Sequence, residues 1–323
     1  MEPTTLTDEQ IELRRGRITG SRIAGVCGLS PWSTPLDVYL EMRGEGPPRT
    51  VNKNMKRGIF LEPGIRKWAA DYTGLRIEKA KKPGTVIHPD FDWIAASPDG
   101  VAYDEGKPGQ PVAAIEIKAP DPYSPRIHDW GDPLEQEDSI PSYVIPQCIW
   151  EAACLGVQET ICTALIGGDI RIYRVEFRQK LFDVMVDKAA SFLTLVKAGT
   201  PPPLDGSDSA ARWLADQYPN HVGVTYLQAD DQIMEHVEGL KKVTGQIKEL
   251  EASKQLAQNM IKKWLGENPG LTSAHGKISW KTATRRSLQQ KKLVEWMTAN
   301  HPEELKKFYE EKSSRTFRVP RKW

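Results

Sequence analysis

Three polar side chains stand where their types and spacing could carry out hydrolysis. In Val112-Ala113-Ala114-Ile115-Glu116-Ile117-Lys118, apolar and charged residues alternate toward the end of the run. That is the pattern of a half-buried strand, whose successive side chains face opposite ways. Ile115 and Ile117 point into a core, and Glu116 and Lys118 share the other face. Upstream, Ser97-Pro98-Asp99-Gly100 places a carboxylate in a turn at the end of a preceding strand, from which a hairpin would return Asp99 toward Glu116. Two converging carboxylates make a hard-oxygen site suited to Mg²⁺, or to Mn²⁺ in its place. Such a metal activates water and neutralises charge on a scissile phosphate. Lys118 would orient the attacking water or stabilise the charge that develops. A Pro-Asp-Gly alone is a turn, and a Glu-x-Lys alone is a solvated strand face with an ion pair. Their order and spacing, with strands on both sides, favour the catalytic reading.

The elements that must hold these residues read as helices, then strands, then a helix. A short helix is expected within 19–28, entered through Thr19. Another spans 34–43, with Thr34 as N-cap and Pro35 at the first helical position. A third runs from about 55 to 72 and ends at Gly74. Strands follow at 93–96, 100–103 and 112–118. Residues 121–141 hold six acids against one Arg and read as a surface loop. A helix over about 142–155 precedes strands near 159–166 and 170–177. Strands covered by helices imply an α/β fold around a central mixed sheet.

Composition bounds the rest. At 323 residues, 39% hydrophobic and 27% charged, the chain is ordinary globular protein of about two domains. A net charge of +1 requires that any nucleic-acid-binding charge be unevenly spread. Cys27, Cys148, Cys154 and Cys162 form no Cys-x-x-Cys pair, so neither a zinc knuckle nor a disulfide framework is indicated. With none of them late in the domain, an iron–sulfur cluster is also rejected. The six His show no metal spacing. Gly270 and Gly276-Lys277 miss the phosphate-binding loop spacing. No secretory signal and no membrane-spanning run is seen, so a soluble cytoplasmic protein is expected, without a membrane partner.

The paired motifs also carry a family resemblance. Pro98-Asp99 with Glu116-Ile117-Lys118 resembles the PD-(D/E)xK arrangement of the restriction-endonuclease-like nuclease superfamily. The surrounding segments resemble one branch of it, the phage-type alkaline exonucleases of the lambda exonuclease and YqaJ group. Arg14-x-x-x-Ile18-Thr19-Gly20-Ser21 resembles that group's N-terminal motif, and Gly58-x-x-x-Glu62 its helical Gly-x-x-x-Glu. Tyr143-x-x-x-Gln147-x-x-Trp150 resembles its Gln-bearing helix, with one extra residue after the Tyr. The resemblance covers roughly 10–180 and implies a restriction-endonuclease-like core. It implies Asp99, Glu116 and the carbonyl of Ile117 as metal ligands, with Lys118 positioning the nucleophile. Glu62 would support a second metal or its water shell, and Gln147 would orient water or phosphate. Arg14 and Ser21 would contact a terminal 5′-phosphate. That role makes physical sense, since a helix start favours phosphate and Arg can grip it with two donors. Plainer roles stand beside these: Glu62 as a helix-surface acid, Gln147 as helix surface and Ser21 as a cap. Arg15 and Arg17 compete with Arg14. Trp32 is either a base-stacking residue or an ordinary core or surface aromatic.

The function so implied is a metal-dependent 5′→3′ exonuclease acting on double-stranded DNA ends and producing single strands for phage-type recombination. An endonuclease of the same fold and a non-catalytic DNA-binding module are the alternatives. The group's habits imply a ring-shaped homo-oligomer, and a single-strand annealing protein is a candidate partner.

The nuclease domain is expected over 1–205, a linker over 206–228 after the breakers Pro201-Pro202-Pro203 and Asp205-Gly206, and a helical, basic accessory region over 229–323. Ile233, Val237, Leu240, Val243, Ile247, Leu250, Ala257, Met260 and Trp264 form one apolar stripe of a long helix or helix pair, with coiled-coil-like spacing. Asn268-Pro269-Gly270 stops it. Short strand-like runs at 277–281 and 315–319 flank a helical stretch from about 287 to 311. From Leu271 to Trp323 there are thirteen Lys and Arg against five Glu. That excess is either a solvated face or an arm that touches DNA backbone or a partner.

Overall fold

The computed structural model describes residues 7–46, 52–133, 139–310 and 315–320. It divides into two compact units, Met1–Trp213 and Leu214–Trp323.

A five-stranded mixed sheet forms the centre of the first unit, in the order β2 (Arg76–Glu78), β5 (Gly100–Tyr103), β6 (Pro111–Lys118), β7 (Glu159–Ile166) and β8 (Asp169–Glu176). Only β6 and β7 run parallel, with Glu116 opposite Cys162 and Lys118 opposite Ala164. A parallel pair needs a crossover, which α5 (Ile145–Leu155) supplies while packing on β6 and β7. On one face of β6, Ile115 is fully buried with Ala102, Ala113 and Ile161. Burying such a side chain contributes about 1.5–3 kcal/mol. The long helix α4 (Lys53–Thr73) contacts β6, β7 and β8, starts at the Asn52 side-chain cap and ends at Gly74 with φ 67°, a backbone that favours glycine. The central mixed sheet flanked by helices is therefore present.

One strand lies elsewhere. The expected 93–96 strand is β4 (Ile94–Ala96), and it belongs to a separate three-stranded sheet with β1 (Ile18–Thr19) and β3 (Val86–Ile87). Asp99 therefore heads β5 after a crossing between sheets, and does not close a hairpin from β4. Pro98 lacks an N–H and disfavours helical backbone at Ser97, so the chain changes sheets there. Gly100 then pairs with Ile115, and the hairpin that brings Asp99 to β6 is β5–β6.

The helices α2 (Gly20–Val26) and α3 (Pro35–Arg43) form where expected, α3 with a Thr34–Asp37 capping box. Three more helices were not foreseen. α1 (Asp8–Arg14) is capped by Thr7 and Gln10. α6 (Gln179–Ala198) buries Phe182, Met185, Ala189, Phe192 and Leu193. α7 (Asp208–Gln217) lies inside the span expected as linker. Ser207 caps it by accepting from the Ala210 N–H at 3.1 Å, and Ala210 and Trp213 pack into the main core.

The second unit contains α8 (Asp231–Leu265), one continuous 35-residue helix capped by Asp230. Its apolar stripe is exposed from Ile233 to Trp264. A hairpin of β9 (Gly270–Ser273) and β10 (Gly276–Ser279) follows, then α9 (Gln290–Asn300) and α10 (Pro302–Lys306). The first hairpin strand begins at the glycine expected only to stop the helix. The strand-like run expected at 315–319 forms no strand, and no described strand pairs with it. No described helix is long and apolar enough to cross a membrane.

Candidate active site

The end of β6 presents the charged face foreseen from its alternation. Glu116 is 3% exposed, and Lys118 follows it on the same face. The Lys118 ammonium donates to Glu116 Oε1 and to Gln147 Oε1 at 2.9 Å. Gln147 lies on α5, one turn before Glu151, and its Nε2 donates to Glu151 Oε1 at 2.9 Å. Asp99 joins from β5, where its Oδ2 accepts the Ile117 N–H at 2.8 Å. Asp99, Glu116, Lys118 and Gln147 are thus brought together by β5, β6 and α5.

Glu62 approaches from α4 but is engaged by Arg66 one turn later. The Arg66 Nε also donates to the Asp99 carbonyl at 3.0 Å, tying α4 to the head of β5. Glu62 is near enough to push on the Asp99 carboxyl electrostatically.

Burial holds the Asp99 carboxyl well above the usual carboxylate range, reinforced by the charges of Glu116 and Glu62 and opposed by Lys118 and the Ile117 N–H. Glu151 is raised likewise, by burial first and by Glu116 next, against its bond from Gln147. For Lys118, burial disfavours the ammonium, yet Glu116 and Asp99 outweigh it and the group is held above its ordinary value. Lys118 is therefore a proton-bearing donor at neutral pH.

Among the described residues, no three His, Cys, Asp or Glu side chains gather as a metal-holding group. The available hard-oxygen set is smaller: the Asp99 and Glu116 carboxylates and the neighbouring Ile117 carbonyl. Crowded buried carboxylates of this kind suit a small divalent cation, which usually keeps several waters and needs only one or two carboxylates from protein.

The Arg14 guanidinium donates to Ser21 Oγ at 2.8 Å and to Ser97 Oγ at 3.1 Å. Thr19 Oγ1 lies 3.4 Å from it, and Ser97 is bonded to Thr85 at 2.8 Å. Of the three neighbouring arginines, Arg17 bonds the Asp92 and Leu13 carbonyls and Arg15 pairs with Glu12, leaving Arg14 to reach Ser21. The N-cap of α2 is Thr19, so Ser21 is not the cap. Ser21, Lys118 and Gln147 line one cleft of about 870 Å³, rimmed by Trp32, Tyr123 and Arg126. Trp32 is 69% exposed and meets Tyr143 edge-on at 4.8 Å, which excludes a core position.

Sequence reasoning missed Glu151, Arg66 and Ser97. Glu151 carried a signal, being the sole acid in the apolar helix Ile145–Leu155 and four residues from Gln147. Arg66 has the same spacing from Glu62. Ser97 precedes the Pro-Asp motif, but nothing local pairs it with Arg14.

Residues 10–158 match the YqaJ-like viral recombinase domain, a span that contains every site residue above. The chain is 24% identical over 291 residues to the uncharacterized protein YqaJ of Bacillus subtilis (strain 168), across 88% of this chain and 86% of that protein. Among solved structures, the alkaline exonuclease LHK-Exo from Laribacter hongkongensis is similar with a TM-score of 0.47 at 22% identity, over 66% of this chain and 100% of that one. A phage-related exonuclease from Haemophilus somnus 129PT gives 0.40 at 12% identity, over 62% of this chain and 96% of its own.

Proposed function

We propose that this protein is a metal-dependent exonuclease that digests one strand of double-stranded DNA from its 5′ end and leaves single strands for recombination. The observation that carries the reading is the joining of Asp99, Glu116, Lys118 and Gln147, with Lys118 and Gln147 lining the same cleft as Ser21, which Arg14 bonds. The YqaJ-like domain over 10–158 supports it.

Asp99, Glu116 and the Ile117 carbonyl would hold Mg²⁺ or Mn²⁺, which when bound supplies an activated water and neutralises phosphate charge. Lys118 cannot serve as general base while it keeps its proton. Its Nζ instead holds the attacking water and stabilises charge on the scissile phosphate. Gln147 fixes Lys118 and offers a polar edge to the water or phosphate. Glu62, neutralised by Arg66, supports the site from α4. Arg14, with the Ser21 and Ser97 hydroxyls, makes a donor cluster suited to a terminal phosphate. That cluster favours an end-reading enzyme over an endonuclease. A ring-shaped oligomer and an annealing partner rest on the family resemblance alone.

Linear 5′-phosphorylated duplex and closed-circular duplex, each with Mg²⁺ or with chelator, provide the test. Digestion of the linear form alone, only with metal, is expected. Cutting of the circle would establish an endonuclease instead, and binding without cleavage of either would leave a DNA-binding module.

A further inference from the structure

Behind the lysine of the proposed site lies an acid that the hydrolytic chemistry does not use. Glu151 is 1% exposed, on the inner face of α5. An acid removed from water is costly unless something there uses its hydrogen-bonding capacity. Its Oε1 accepts from Gln147 Nε2 at 2.9 Å, and its Oε2 meets no partner among the described residues.

The polarity of the chain of bonds explains the first contact. A lysine ammonium has three donors and no acceptor, so Gln147 must turn its carbonyl to Lys118. The amide NH₂ then faces the other way, along α5 toward position 151, and requires an acceptor there. The Glu151 Oε1 that faces it accepts that bond whether the acid is charged or neutral, and so holds the amide in one orientation. Packing restricts the pair further. A Cβ at Gly20, the first residue of α2, would lie 3.3 Å from Glu151 Oε1 and 3.4 Å from Gln147 Cγ. The backbone of α2 therefore closes against both side chains and leaves little room for either to swing.

We propose that Glu151 is a positioning residue: it locks the Gln147 amide with its carbonyl toward Lys118, and so sets where the Lys118 ammonium stands. This rests on the nuclease reading of the site. Glu151 touches neither DNA nor the reacting atoms and acts only through Gln147.

The test compares wild type, Glu151→Met, Glu151→Gln, Gln147→Ala and the double variant Glu151→Met/Gln147→Ala. Methionine is close in volume and carries no carboxylate. Replacing a buried ionisable group with an apolar one of similar size is often neutral or stabilising, so this variant should fold. The first readout needs no catalysis. The Gln147 side-chain NH₂ signals in an ¹⁵N spectrum, assigned by their loss in Gln147→Ala, should be dispersed and slow to exchange in wild type. They should collapse toward free-amide values in Glu151→Met and persist in Glu151→Gln, whose carbonyl can still accept.

The second readout is digestion of linear duplex. Glu151→Met should lower kcat by about 10–100-fold, the usual cost of removing an outer partner of a site, with KM within about twofold. Glu151→Gln should recover most of the loss. In the Gln147→Ala background, Glu151→Met should change kcat by less than about twofold, because residues acting as one unit are not additive. An unchanged Gln147 amide in Glu151→Met, an unchanged kcat, or independent multiplication of the two losses would overturn the proposal. A wild type that shows the locked amide but cuts no DNA would overturn the nuclease reading instead, and with it the catalytic purpose of the lock.

Discussion

Replacing Asp99 with asparagine separates metal binding from folding, and the two effects should have opposite signs. The Asn side chain keeps an oxygen to accept the Ile117 N–H, which Asp99 accepts at 2.8 Å, so the tie between β5 and β6 survives. What disappears is a charge that burial, Glu116 and Glu62 all disfavour. Because the folded-state pKa of Asp99 lies well above 3.8, the folded protein holds a proton that the unfolded chain releases. Stability therefore falls as pH rises from about 3.8 toward the raised folded value. Asn abolishes that loss, so metal-free Asp99→Asn should melt above wild type at pH 7.5 and no higher than it at pH 3. Divalent cation should act in reverse. At a hundred times its Kd, a ligand of the folded state alone stabilises by about 2.7 kcal/mol. For a unit the size of Met1–Trp213, that is a rise of roughly 5–11 °C in Tm. Differential scanning calorimetry in chelator and in Mg²⁺ or Mn²⁺ measures both. Wild type should show the rise and Asp99→Asn should lose it. An equal metal-induced rise in both proteins, or none in wild type, would refute the metal assignment. A metal-free variant less stable than wild type at pH 7.5 would refute the electrostatic argument.

Lys118→Ala should lower the cleavage rate by about 10²–10³-fold, as removal of a preorganised charge donor does, while keeping the metal-induced rise in Tm. Loss of that rise would make Lys118 a structural partner of Glu116. If Arg14 and Ser21 read a terminal phosphate, 5′-phosphorylated duplex should be digested faster than 5′-hydroxyl duplex, and Arg14→Ala should erase a difference of roughly tenfold or more. Equal rates in wild type would remove the phosphate pocket. Truncation to test the basic C-terminal region should follow Gln217, because Ala210 and Trp213 belong to the core of the first unit. If the tail contacts DNA backbone, the shortened chain should bind duplex with a shallower dependence on salt. Unchanged salt dependence and unchanged assembly state by light scattering would leave the tail neither a DNA arm nor an oligomer seam.

What could be read in the sequence was local in origin. The alternation of Ala114 to Lys118 fixes which residues of β6 share a face, whatever the sheet around it. Thr34-Pro35 and Gly74 mark helix ends by their own backbone chemistry. Partnerships between distant segments were not legible. Nothing near residue 94 states that β4 pairs with β1, 76 residues earlier, so the route into Asp99 was misjudged although its destination was not. α6 lacked a different cue. Phe182, Met185, Ala189, Phe192 and Leu193 follow helical spacing, but Arg178 at its start makes no side-chain cap bond, and no start signal marked it. The hydroxyl cluster around Arg14 escaped for the first reason, since Ser97 and Thr85 come from separate segments. Glu151 was readable and was passed over because a single Glu in an apolar helix was not matched to the Gln one turn before it.

The distribution of charge around the site argues for a cation from the protein's own side. Glu62 is neutralised by Arg66, and Glu116 by Lys118. Burial pushes Glu151 toward its neutral form, and the Asp99 carboxylate, pushed the same way, accepts the Ile117 N–H. Glu62 and Glu116 thus have a counter-charge within the fold, while burial pushes both Asp99 and Glu151 toward their neutral forms. A chain selected for stability alone would gain from an uncharged residue at position 99. On the proposed metal reading, the charged form there becomes favourable when a cation binds beside the Ile117 carbonyl and Glu116. If Asp99 holds a metal as proposed, its unfavourable charge in the metal-free protein and its metal affinity should change together in any variant that alters the pocket.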